Sequence, residues 1–157
     1  KKRQRAIECY NKAIELNPKN FHAYRNKGSC LDDMKKYEEA LTCYDKAIKL
    51  NQNDADSYNN KGITLRNMNK VQESLHCYDK AIELNPLDSI AYYNRGNALK
   101  SLRKYEEAVE SYDKTLEYDV NNASAYFNKG VALSKLRQHS NAIASYDQAL
   151  DKNPSYP

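Results

Sequence analysis

Four cysteines and three histidines are the residues of this 157-residue chain best suited to metal, redox or nucleophilic chemistry. Their spacing gives them little to do together. Cys9, Cys43 and Cys77 recur every 34 residues, and Cys30 stands outside that column. No two cysteines have the CxxC spacing of a zinc site. Packed helices lie roughly 8–10 Å apart, whereas a disulfide needs Cα atoms within about 7 Å. One cysteine per repeat is therefore poorly placed to bridge. The four read as small apolar residues of a reducing compartment, and the sequon Asn122-Ala123-Ser124 does not outweigh that. His22, His76 and His139 fall in three different columns, at neither ligand nor relay spacing. Asp32-Asp33 reads as a charged helix end. With no nucleophile elbow, phosphate loop or paired-carboxylate constellation, the expectation is a chain that is not an enzyme and uses no metal or cofactor.

A second set of residues offers binding chemistry. Asn26, Asn60, Asn94 and Asn128 form an unbroken column, again 34 residues apart. An amide both donates and accepts, so it can pair with the backbone of an extended peptide whatever its sequence. The same amides can equally bond between neighbouring helices. The sequence leaves both roles open.

The spacing of 34 belongs to the whole chain. The four glycines are Gly28, Gly62, Gly96 and Gly130. Four residues before each stands Tyr24, Tyr58, Tyr92 or Tyr126, and three after it Leu31, Leu65, Leu99 or Leu133. Ala6, Ala40, Ser74, Ala108 and Ala142 follow, each four residues ahead of Tyr10, Tyr44, Tyr78, Tyr112 or Tyr146. Ala13, Ala47, Ala81, Thr115 and Ala149 come next, and Pro18, Pro86 and Pro154 close three units. A fixed period of this length is the mark of one supersecondary unit stacked repeatedly.

Within a unit the apolar spacing of three and four predicts two helices. Ala23, Tyr24, Gly28, Leu31 and Met34 share one face, and Tyr37, Ala40, Leu41, Tyr44, Ala47 and Ile48 another. Short polar loops make the two antiparallel. Gly28 and Ala40 are small because helices approach closely there. Helices are predicted at 3–16, 21–34, 37–50, 55–68, 71–84, 89–102, 105–118, 123–136 and 139–152. An irregular junction is expected before Ala123, where Thr115, Tyr118 and Val120 replace the residues of the other units.

This pattern of aromatic, Gly, Ala-x3-aromatic, Ala and Pro in 34 residues resembles the tetratricopeptide repeat family. The resemblance implies an all-α fold, a right-handed α-solenoid of antiparallel helix pairs. The chain then reads as a single array: 1–20 a half repeat, then full repeats at 21–54, 55–88, 89–122 and 123–156. It departs from the family at Lys27, Lys61, Arg95 and Lys129, which stand where Leu is usual. Asp45, Asp79, Asp113 and Asp147 lie at the matching level of each second helix. The expectation is an ion-pair ladder, within repeats or between them, and Asn11 tests which. If carboxylates came from the preceding repeat, Lys27 would have no acidic partner.

In the family the first helices line a concave groove where peptides bind. The resemblance therefore implies contacts from Arg25, Asn26, Asn59, Asn60 and Ile63, and from Ile90, Tyr93, Asn94, Asn97, Phe127, Asn128 and Val131. Ile63, Ile90, Tyr93, Phe127 and Val131 add an apolar stretch of the kind that marks partner sites. The clamp that holds acidic chaperone tails needs two basic residues where Ile90 and Asn94 stand, and Asn where Ser29 stands, so that partner is argued against.

Composition agrees with a protein or peptide partner. Net charge is +4, from 25 basic and 21 acidic residues, too balanced for a nucleic-acid footprint. No apolar run is long enough for a transmembrane helix, which argues against a membrane partner. Nothing at the start resembles a signal peptide, and the expected setting is cytoplasmic. The chain begins at Lys1 midway through a unit and stops at Pro157 before a next helix, as a segment of a longer array would. End-to-end self-association is the alternative. The functional expectation is an interaction scaffold. Its rivals are an assembly element with an empty groove and the substrate-recruiting arm of a longer enzyme.

Overall fold

The computed structural model describes residues 2–155, so Lys1 and Pro157, on which the reading of the ends rests, lie outside the described residues. Those described form nine helices and no strand. They divide into two compact units, at residues 1–84 and 85–157. The first holds α1 (Lys2–Leu16), α2 (Phe21–Asp33), α3 (Tyr37–Leu50), α4 (Ala55–Asn67) and α5 (Val71–Leu84). The second holds α6 (Ser89–Ser101), α7 (Tyr105–Tyr118), α8 (Ala123–Lys135) and α9 (His139–Lys152). In each repeat the first helix packs most extensively on its own second helix, as α2 on α3, α4 on α5, α6 on α7 and α8 on α9. Within the units, α1 meets α2, α3 meets α4 and α7 meets α8.

Each first helix ends one residue earlier than its periodicity predicts, and the turn explains why. Met34 is the C-cap of α2, and Lys35 follows with φ 60°. The Lys36 N–H donates to the Leu31 carbonyl at 2.9 Å and the Lys35 N–H to that of Asp32 at 2.7 Å. This six-to-one and five-to-two pair is a Schellman motif, which satisfies carbonyls that a helix end leaves open. The same bonds recur at Asn69, Arg103 and Arg137, all at positive φ and none of them glycine. First helices start on an Asn or Asp column. The side chains of Asn20, Asp88 and Asn122 accept from the N–H groups of Ala23, Ile90 and Ala125 at 3.0–3.1 Å, the usual N-cap bond.

The junction before Ala123 is regular, not irregular as its residues imply. α7 ends at Tyr118, and the Asp119 N–H donates to the Thr115 carbonyl at 2.8 Å, as Asn51 does to Ala47 and Asn153 to Ala149. Buried Thr115 also bonds back through its hydroxyl to the Ser111 carbonyl at 3.0 Å. Its polar atom is thereby satisfied inside the helix, and it can stand in an alanine column. Proline is not needed to stop the helix, since α3 also ends on time with Gln52 at that position.

The glycines do not simply let backbones touch. A Cβ built at Gly28 would lie 2.7 Å from Tyr44 Cε1, and one at Gly62 2.6 Å from Tyr78 Cε1. Gly96 faces Tyr112 and Gly130 faces Tyr146 in the same way. The missing side chain is thus the seat of the second-helix tyrosine of the same repeat. Tyr44, Tyr78 and Tyr112 are at most 1% exposed, flanked by Ala40, Ala47, Ala81 and Ala108 at 0%. In the first unit this layer extends to Ile7, Leu31 and Cys43, with Cys30 and Met34 packed against it.

Burial pushes the phenols of Tyr44 and Tyr78 well above their ordinary range. The charge of Asp32 adds to the shift at Tyr44, and a hydrogen bond with Thr64 opposes it. At Tyr78 the charge of Arg66 works against the shift. The Tyr78 hydroxyl is buried with no hydrogen-bond partner among the described residues. All four cysteines are free thiols. Burial raises Cys43 and Cys77, whereas Cys9, on α1, is exposed.

Two outcomes follow from this core. Gly62→Leu should destabilise by about 1–3 kcal/mol or more, because the Tyr78 ring has nowhere to go. The gain of about 1 kcal/mol in helix propensity does not offset that. The same change at Gly130 should cost less, since Tyr146 is only half-buried. Paired thermal melts check the order. Stability should also be complete below about pH 8.5 and fall as pH rises through the range near 10 and beyond. The unfolded thiols and phenols then release protons that the folded core retains. A melting midpoint that stays flat to about pH 11, or is no flatter in Tyr44→Phe/Tyr78→Phe, would contradict this.

Candidate functional site

The residues expected to line the binding face come from the first helices, and they are best taken unit by unit. In the first unit α2 and α4 supply Arg25, Asn26, Asn59, Asn60 and Ile63. Arg25 is committed to its own chain. Its Nη1 lies 2.7 Å from Asp54 Oδ1 and 2.9 Å from Asp56 Oδ2, and the side chain is 17% exposed. Asp54 also accepts from the Ser57 hydroxyl, and its carboxylate makes no cap bond to α4. Asn59 is buried, Asn60 and Ile63 are half-buried, and Asn26 is exposed. A second network joins the same helices: Thr64 donates to Asp32 at 2.6 Å and is hydrogen-bonded to Tyr44.

In the second unit α6 and α8 carry Ile90, Tyr93, Asn94, Asn97, Phe127, Asn128 and Val131. Ile90 stands out at 61% exposure. Tyr93 rests near Tyr112 with ring centroids 6.1 Å apart, and Phe127 near Tyr146 at 5.5 Å. These aromatic rings are therefore held by second-helix tyrosines of their own repeats and are half-buried. Asn128 donates to the Tyr93 hydroxyl at 3.0 Å and accepts from Lys100 Nζ at 2.5 Å. Asn97 accepts from the Tyr112 hydroxyl at 2.8 Å. Val131 is half-buried and Asn94 buried.

The asparagine column is thus not uniform. Asn128 bonds α8 to α6 through both ends of its amide, while Asn26 stands exposed at the equivalent place in its own unit. Lys100 is a polar residue of this face that sequence reasoning missed. Its column reads Asp32, Arg66, Lys100, Ser134, so a search for repeated residues passes over it. The signal that would find it is the spacing of 28 to Asn128, which the Asp32–Thr64 spacing of 32 resembles one turn along.

The basic column beside the glycines behaves as an ion-pair ladder where each unit contains both partners. Lys61 Nζ lies 2.6 Å from Asp45 and Lys129 Nζ 2.6 Å from Asp113. In both pairs the carboxylate comes from the preceding repeat. Arg95 donates to the Ser111 hydroxyl at 2.8 Å. The lysines are about a quarter exposed and their partners more than half. Burial opposes the charge on Lys61, but the hydrogen bond and charge of Asp45 more than compensate, and its pKa is raised.

Among the described residues no group of three or more His, Cys, Asp and Glu is placed to hold a metal ion. No helix among them is long and apolar enough to cross a membrane. His22 is exposed and stacks on Phe21 at 3.9 Å, and His76 and His139 are exposed.

Paired helices of fixed length, a seated tyrosine in every repeat and a 34-residue register leave one comparison to make. Family models of the tetratricopeptide repeat match residues 22–54 and 55–87, residues 96–157, and also 77–110 and 3–30. The chain belongs to the tetratricopeptide repeat family. Solved structures of the fold agree. A crystal structure of MamA is 24% identical, with a TM-score of 0.87 over 94% of this chain and 86% of that one. MamA, residues 41 to the end, from Desulfovibrio magneticus RS-1 is 20% identical, with a TM-score of 0.87 over 98% and 86%. At these identities the likeness is one of fold. No curated protein sequence matches the chain.

Membership sharpens the meaning of Lys61 and Lys129, which occupy a tetratricopeptide leucine position and are paired. A double-mutant cycle on Lys61 and Asp45 should give about 0.2–1 kcal/mol at low salt, shrinking as salt is added. Lys27 makes no ion pair among the described residues, and the residue 16 before it is Asn11, where Lys61 has Asp45 and Lys129 has Asp113. Asn11→Asp should therefore supply the missing carboxylate and raise the melting midpoint slightly at low salt. No gain over the parent would contradict the register.

Proposed function

We propose that this chain is a protein-interaction scaffold that holds a peptide or partner protein on its first-helix faces. The observation that carries the reading is the α6/α8 face. It places an exposed isoleucine beside half-buried aromatic rings and an amide network, a mixture of apolar contact and hydrogen bonding suited to a peptide. Family membership supports it, since the repeat is a binding fold with no catalytic constellation of its own. The contact set is Asn26, Asn60 and Ile63 in the first unit and Ile90, Tyr93, Asn97, Phe127, Asn128 and Val131 in the second. Arg25 belongs to it less, because two carboxylates already hold it. The repeats at 21–54, 55–88, 89–122 and 123–156, with the half repeat at 1–20, serve as one array in this reading. Free cysteines, two of them buried, fit an intracellular setting.

Affinity capture followed by mass spectrometry tests the reading. The bait is the chain with Asn26→Ala, Asn60→Ala and Ile90→Asp, set against the parent and against Glu110→Lys on the exposed side of α7. Partners of the parent should be lost from the first bait and kept by the second, with helicity by circular dichroism equal in all three. The opposite pattern would place binding on the second helices and overturn the proposal.

A further inference from the structure

Charge is distributed unevenly in the second unit. α6 contains Arg95 and Lys100 and no Asp or Glu, and α8 contains Lys129 and Lys135 and likewise none. The acids sit on the second helices, with Glu106, Glu107, Glu110, Asp113 and Glu117 on α7 and Asp147 and Asp151 on α9. Arg95 and Lys129 reach those helices, through Ser111 and Asp113. Lys100 instead bonds to Asn128 on α8, and Lys135 is exposed in the last turn of that helix. Arg103 and Arg137, exposed in the two turns that follow, continue the same basic edge.

The opposite end of these helices is apolar. Leu87 is 68% exposed, Ile90 61% and Val120 56%, all before or within the first turns of α6 and α8. Of the acids at that end, Asp88 caps α6 and Asp119 accepts from the Asn122 amide at 3.0 Å. The two ends therefore ask for different chemistry.

Lysines near helix C-termini also complement the macrodipole. The fold does not require this, because α2 ends on Asp32 and Asp33 with no basic residue in its last turn. Mixed charge is the pattern in the first unit, where α4 combines Asp56 with Lys61 and Arg66. In the second unit the first helices carry bases alone, while α7 and α9 combine their acids with Lys114 and Lys152.

From the purely basic first helices and the exposed Ile90 we infer that the α6/α8 face takes an anionic peptide with an apolar anchor. The apolar side chain lies at Ile90, and the carboxylates lie toward Lys100 and Lys135. The inference rests on the scaffold reading above and names the ligand class for the second unit. Ile90 and Lys100 are ten residues apart on α6, about 15 Å, which is some four or five residues of an extended peptide. The ligand is thus a short segment in which Asp or Glu follows or precedes a large apolar residue at that spacing.

A random-peptide display library panned on the intact chain at low salt tests this, followed by fluorescence anisotropy with the enriched peptides. Enrichment of acidic peptides with an apolar residue is expected. Their binding should weaken about tenfold in Lys100→Glu/Lys135→Glu, weaken with added salt, and stay unchanged in Lys46→Glu/Lys49→Glu. That control makes the same change of net charge on α3. Lys100→Met, which keeps the length of the side chain, should show part of the loss if the reversal variant misfolds by circular dichroism. Enrichment of neutral or basic peptides would overturn the anionic preference and leave peptide binding standing. Equal loss in both double variants would overturn it too, as a general field effect. Failure to enrich any peptide would overturn the scaffold reading and this inference with it.

Discussion

The contact between a glycine of the first helix and a tyrosine ring of the second sets the geometry of every repeat. Tyr44, Tyr78 and Tyr112 are the largest side chains fully withdrawn from water, and each seats in the space left by a missing Cβ. A ring in that place fixes both the distance between the paired helices and their rotation about their axes. Once the rotation is fixed, the residues two before each glycine turn away from the ring, and these are the asparagines of the first-helix face. The proposed binding face and the core are thus two sides of one constraint. A larger residue at Gly28 would not only open a gap, since interiors are packed too closely to absorb it locally; it would also re-aim Asn26.

Charges act on a different scale. The Lys61–Asp45 and Lys129–Asp113 pairs join neighbouring repeats, but each has an exposed carboxylate and contributes little free energy. Their effect is on register: an ammonium that crosses to the preceding repeat at a defined level resists a slip of one helix along the next. Arg25 does the same in the opposite sense, reaching forward from α2 to Asp54 and Asp56. Asp54 gives up its cap bond to α4 in doing so. In the first unit Arg25, Asp32 and Thr64 are thus committed to holding α2 and α4 together.

How much of this was legible in the sequence depends on whether a residue repeats. The helix pairs, their lengths and the break points near residues 35, 69, 103 and 137 follow from periodicity, because each column reports one environment several times over. The seat of Tyr44 was not legible, although Gly28 and Tyr44 both were. Periodicity says that positions are alike and does not say which two of them touch. The Schellman turns were hidden for another reason. Glycine is the usual marker of a left-handed residue, and Lys35, Asn69, Arg103 and Arg137 carry no such mark. Val120 and Thr115 misled in the other direction, since the turn they interrupt is held by backbone bonds that any residue can make. Asn128, read as one of four equal amides, proved to have partners that its column mates cannot have, because Tyr93 and Lys100 occur once each at their positions.

Repetition also explains where function is to be sought in such a chain. A column that never varies answers mostly to what the repeats share, and even where its members differ in setting, as the asparagines do, its constancy says little about a particular ligand. Chemistry that belongs to one repeat must come from columns that vary. The column of Lys100 runs through an acid, an arginine, a lysine and a serine, and that of Ile90 through His22, Asp56 and Ser124. In the first unit the variable positions are answered from within, Asp32 by Thr64 and Arg25 by Asp54. In the second unit α6 and α8 carry bases and no acids of their own, and an isoleucine stands in water. Residues that differ from repeat to repeat and still reach solvent, such as Ile90 and Lys135, are where a partner can make contacts of its own.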